Sequence, residues 1–101
     1  MAGRRSLSLA LEEGFLNDNV RIRSNGREIA RLDNLSTRVQ IGLARTIDVE
    51  LSGDENIVVE LPDKNLRIEI PGDIGSFVGV SVTADGLALS LRSSDVPAGY
   101  A

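Results

Sequence analysis

The sequence predicts an all-β domain, an antiparallel β-sandwich of about eight strands, and three observations carry that reading. Apolar and polar residues alternate in run after run, as they do along a strand with one buried face. Pairs suited to tight turns, Asn25-Gly26 and Asp85-Gly86, stand between such runs. Nowhere does an apolar period of 3.6 outlast a single helical turn.

In chain order, Leu7, Leu9 and Leu11 repeat with a period of two opposite Ser6, Ser8 and Ala10, so Ser6 to Glu13 reads as a half-buried strand. Gly14 to Asn19 reads as a loop, with Phe15 and Leu16 tucked under the end of the sandwich and the Asx residues turning through their own backbone. Val20 to Leu32 is the clearest hairpin. Asn25 and Gly26 accept the positive φ of a type I′ turn, Ile22 faces Ile29 on the apolar side, and Arg23 faces Glu28 on the other. A bulge near Ala30 would bring Leu32 back to the apolar side.

Asp33 to Thr37 reads as a polar connection and Arg38 to Ile41 as a short strand ended by Gly42. Thr46 to Leu51 turns Ile47, Val49 and Leu51 inward and leaves Asp48 and Glu50 in water. Asn56 to Leu61 buries Ile57, Val59 and Leu61 but carries Val58 on its opposite face, which marks a strand that is central or covered on both sides. Pro62-Asp63-Lys64 closes it, Asn65 to Ile70 alternates again, and Pro71 to Ser76 is a loop. Phe77 to Thr83 and Leu87 to Arg92 form a second hairpin, with Val78, Val80, Val82, Leu87, Leu89 and Leu91 inward. One domain spans residues 1–101, with 1–5 and 93–101 as arms. Short connections favour antiparallel pairing throughout, since a parallel unit needs a crossover of about a dozen residues. The architecture expected is a sandwich of immunoglobulin-like or transthyretin-like kind, and a small closed barrel is the alternative.

Composition excludes more than it suggests. Hydrophobic residues make up 42% of the chain but aromatics only 3%, so the core must be aliphatic. The lack of Cys removes disulfides, thiol catalysis and thiolate metal sites, and the lack of His removes the usual general base and the commonest metal ligand. Residues 1–50 carry 8 Arg against 7 acids and residues 51–101 carry 3 bases against 8 acids, which gives +1 and −5 and the net charge of −4. No apolar run approaches the roughly 20 residues of a membrane span, and Ser6 to Leu11 is too interrupted for a signal-peptide core. The cytoplasm is the expected compartment.

Candidate chemistry is thin. Glu12-Glu13 and Asp54-Glu55 are adjacent carboxylates, but neighbours on a strand point to opposite faces, and no His is present to activate a serine. An enzyme is not expected, nor a cofactor. Asn17-Asp18-Asn19, Asp33-Asn34 and Asp54-Glu55-Asn56 offer hard oxygen ligands, yet their spacing does not fit a calcium loop and turn-forming Asx residues explain them, so no metal is assigned. Arg21, Arg23 and Arg27 on one hairpin lack the interleaved aromatics that single-stranded nucleic acid needs, and no Trp is present to build a sugar platform.

A non-catalytic protein-interaction or scaffold module is what remains, with a carbohydrate- or calcium-binding module of a larger assembly as the alternative. The partner is another protein or a second copy of the chain, with neither nucleic acid nor membrane expected. The strand Ser6 to Glu13, uncharged in its middle, reads as an unguarded sheet edge. Leu7, Leu9, Leu11, Val58, Val96 and Tyr100 are therefore the candidate partner-binding residues.

Overall fold

The computed structural model describes residues 4–38, 40–52, 55–71 and 77–94. Within them run eight strands, β1 (Arg4–Leu11), β2 (Asp18–Ser24), β3 (Arg27–Leu35), β4 (Arg45–Ser52), β5 (Ile57–Leu61), β6 (Leu66–Ile70), β7 (Phe77–Val82) and β8 (Leu89–Ser94), and a 3-10 turn, Pro62–Lys64. They form two four-stranded sheets, ordered β4-β1-β7-β8 and β3-β2-β5-β6, rather than a closed barrel. The first and last strands take in Arg4, Arg5, Ser93 and Ser94, positions that the sequence reading gave to the arms.

Alternation builds the core. Leu7, Leu9, Leu11, Val49, Leu51, Val78, Val80 and Val82 from one sheet meet Val20, Ile22, Ile57, Val59, Leu61 and Ile70 from the other in a single buried cluster, to which Phe15 is added from a loop. Burying an aliphatic side chain of this size stabilises the fold by about 1.5–3 kcal/mol, which is why an interior so poor in aromatics holds.

Three expectations are corrected. First, β1 is not an edge strand: it lies between β4 and β7, paired with β4 along Arg4–Leu11 and with β7 from Ser8 to Leu11. On its outer face burial rises from the exposed Ser6 through the half-buried Ser8 to the buried Ala10, as the β7 ladder begins at Ser8. Second, β1 pairs with β7 in parallel, from Ser8↔Phe77 to Leu11↔Val80. The crossover rule concerns strands joined directly, and these two are separated by five others. Third, Gln40 and Ile41 lie in a turn rather than a strand, with Arg38 and Leu43 forming an isolated bridge around it; Val39, expected in the same strand, lies outside the described residues.

The Asn25-Gly26 hairpin forms as expected, with φ of 51° and 77° at its two central residues. Arg23 pairs with Glu28, but Ile22 pairs with Ala30 rather than Ile29, because the register shifts at this point. The shift restores Leu32 opposite Val20 on the core side, as a bulge must when one extra residue changes which face follows. β5 is central in its sheet, between β2 and β6.

Register also fixes which connections share an end. Leu11 lies beside Val80 and Arg45, Asp18 beside Leu35, and Arg21 beside Glu60. The β1–β2, β3–β4, β5–β6 and β7–β8 connections therefore all leave from one end of the sandwich, called here the loop end.

Candidate functional site

Leu7, Leu9 and Leu11 are core residues, 1%, 0% and 0% exposed, and Val58 is half-buried on the outer face between Arg23 and Glu69. Val96 and Tyr100 lie outside the described residues. The structure does not bring these six together. Around Val58, Arg21, Arg23, Arg31 and Arg67 share an outer face with Glu28, Asp33, Glu60 and Glu69. Arg21 reaches Asp33 at 3.2 Å and Arg23 reaches Glu60 at 3.3 Å, so this face neutralises itself.

Two side chains that the sequence reading placed inside are outside. Leu16 is 71% exposed and Leu87 76%, and they are the large apolar side chains left in water among the described residues. Both stand on loops at the loop end. The alternation of β8 reads straight through to Leu87, but pairing stops at Val82↔Leu89; a period of two does not mark where the ladder ends.

Local chemistry holds each leucine out. Gly14 takes φ +87°, and a Cβ there would fall 2.5 Å from the Val82 carbonyl oxygen, so the chain passes closely over β7 only as glycine. Phe15 then turns into the core, fixed at both backbone groups: its N–H donates to the Thr37 hydroxyl at 3.0 Å and its carbonyl accepts from Thr37 N–H at 2.9 Å. The next residue must point the other way. Leu16 N–H donates to Asp18 Oδ2 at 2.9 Å, and Asn17 at φ 50° completes the reversal. In the β7–β8 loop, Thr83 N–H donates to the Ala88 carbonyl at 2.9 Å and Gly86, at φ +73°, closes on the Thr83 carbonyl at 2.8 Å. Asp85 Oδ1 accepts from the Thr83 hydroxyl at 2.6 Å and from Leu87 N–H at 3.0 Å. These bonds hold the Asp85 carboxyl below the usual carboxylate range, the Thr83 hydroxyl most and the Leu87 N–H next.

The β1–β2 loop is tied to the end of β7, from which the β7–β8 loop leaves. Val82 N–H donates to the Glu13 carbonyl at 2.8 Å, and Glu13 N–H to the Ser81 hydroxyl at 3.2 Å. Between the β1–β2 loop and the β3–β4 connection opens a cavity of about 320 Å³, lined by Glu13, Gly14, Phe15, Leu16, Thr37 and Gly42. On the outer face of β7, Arg92 forms a bidentate ion pair with Glu12, whose side chain is 8% exposed, across the bare backbone of Gly79.

Two of the Asx-rich segments, Asn17-Asp18-Asn19 and Asp33-Asn34, meet at this end as well, whereas Glu55 and Asn56 stand beside Ser24 at the other. Lys64 Nζ lies 2.9 Å from Asp18 Oδ1, Asn19 donates to Asp63 at 2.7 Å, and Asn34 N–H donates to Asn19 Oδ1 at 3.2 Å. The buried Asp18 carboxylate is thus committed to an ammonium and a backbone N–H. Among the described residues no group of three or more acidic side chains is placed to hold a metal ion, and no helix is long and apolar enough to cross a membrane.

No family model matches the chain, and neither a curated protein nor a solved structure does, so geometry alone carries the functional reading.

Proposed function

We propose that the chain is a non-catalytic protein-interaction module that binds its partner through the loop end. The observation that supports this is the pair Leu16, beside a cavity, and Leu87, on the neighbouring loop, both held in water while the other large aliphatic side chains among the described residues are buried or half-buried. Exposed apolar side chains grouped on loops at one end of a rigid scaffold are the usual form of a binding surface. In sandwiches of immunoglobulin-like or transthyretin-like kind, the class to which we assign this one, such loops are free to vary without disturbing the sheets. The module works in the cytoplasm on this reading, which the lack of cysteine favours.

The alternative, a calcium- or carbohydrate-binding module, has less behind it. Asp18 is spent on Lys64 and Leu16, and the cavity rim carries no aromatic face beyond the buried Phe15.

Affinity capture from cell extract tests the proposal, comparing the native chain, the double variant Leu16→Ser with Leu87→Ser, and Val58→Ser on the opposite outer face. A partner identified by mass spectrometry should be lost with the double variant and kept with Val58→Ser. Retention by the double variant at the native level would end the proposal.

A further inference from the structure

The two exposed leucines each have a carboxylate for company. Glu13 lines the same cavity as Leu16, and Asp85 accepts a hydrogen bond from the backbone of Leu87 itself. Glu13 is exposed, and among the described residues neither acid has a cation within ion-pair distance. The cations of this end do not fill the gap: Lys64 is held by Asp18, Arg92 by Glu12, and Arg38 and Arg45 pair with neither acid. The contrast with the outer face around Val58 is sharp, because there the arginines of β2 have carboxylates in reach. We propose that the loop end recognises a protein segment carrying cationic side chains beside apolar ones, the leucines taking its apolar groups and Glu13 and Asp85 reading its charge.

This inference rests on the interaction reading above and adds the chemistry of the partner. The acids select for approach and register more than for raw affinity, since exposed charge pairs are weak and screened by salt. The apolar contact supplies the bulk of the binding.

The test uses the full chain and three short synthetic peptides read by fluorescence anisotropy, alternating leucine with lysine, leucine with glutamate, and serine with lysine. The leucine–lysine peptide should bind best. Glu13→Gln and Asp85→Asn, which keep shape and hydrogen-bond acceptors, should each weaken it about threefold, and the two together about tenfold, the size expected of exposed charge pairs. Asp48→Asn, which removes an exposed acid from the outer face of β4, should leave it unchanged.

If the leucine–glutamate peptide binds equally well, or Asp48→Asn weakens binding as much as Glu13→Gln does, the charge-reading inference is overturned while the apolar site stands. If Leu16→Ser with Leu87→Ser leaves binding of every peptide at the native level, both inference and function fall. Leucine-dependent binding to phosphatidylcholine vesicles with none to the peptides would also overturn it, in favour of a lipid surface.

Discussion

The β2–β3 and β7–β8 hairpins both turn through an Asx-Gly pair, yet they leave the chain in different conditions. At Asn25-Gly26 the turn is two residues long, the ladder runs up to Ser24↔Arg27, and the side chains at its tip are polar. At Asp85-Gly86 the ladder stops at Val82↔Leu89, six residues intervene, and the apolar Leu87 is fastened outward by Asp85. The first hairpin uses its turn to set register. The second uses a longer turn to display a side chain, at the expense of roughly 1.5–3 kcal/mol that burying a leucine would have contributed. On the function proposed above, a loop that forgoes this stabilisation while holding its shape by hydrogen bonds presents its leucine to a partner.

The comparison breaks most readily in β7, which carries the displaying hairpin. A Cβ on Gly79 would fall on the Glu12 carboxylate, 2.7 Å from its Cδ and 3.0 Å from Arg92 Nε. Gly79→Val should therefore cost about 3 kcal/mol, by overpacking and by prising apart a half-buried ion pair. A denaturant midpoint within error of the native value would show that the pair does not cover the glycine. Gly26→Val should cost less, about 1–2 kcal/mol, because nothing lies within 4 Å of the added Cβ and only the left-handed backbone, φ +77°, is strained. An unchanged midpoint there would mean that the turn relaxes to another type.

Leu16→Ser and Leu87→Ser should alter stability by no more than about 0.5 kcal/mol each, as surface substitutions do. A loss of 2 kcal/mol from either would reveal a packed leucine and remove the contrast between the hairpins. The smallest effect concerns Asp85. Its pKa lies below the ordinary value, so its bonds to Thr83 and Leu87 favour the fold at higher pH and are lost as pH falls through that lowered pKa. Because the group is fully exposed, the change should be local. Amide NMR shifts of Thr83 and Leu87 should move together below about pH 4 without global unfolding, and Asp85→Asn should abolish the movement.

Much of the fold is legible in the residues, because strands with one buried face announce themselves by period and Asn-Gly fixes its turn. The Arg23↔Glu28 pair and the need for a bulge followed from the places where charge and apolarity fell out of step. Strand order did not follow, because it is decided by partners far apart in the chain. In Ser6 to Leu11 the missing charge was taken for an open edge, whereas from Ser8 onward the strand has neighbours on both sides. The site was the least legible part. Leu16 and Leu87 look like core residues by type, and the hydrogen bonds of Asp18 and Asp85, each two residues away in the chain, show how each is turned. The clue available beforehand was the aspartate two positions from each leucine, a residue type that ties down the backbone locally and ends regular pairing.

Leu16 and Leu87 stand in water at one end of the sandwich, and methyl NMR with a soluble gadolinium chelate measures this directly. Leu16 and Leu87 methyl signals should be broadened strongly while those of Leu7, Leu9 and Leu11 keep their intensity. Protection of Leu87 to the level of the core leucines would contradict the account, since the display loop would then be an ordinary packed turn.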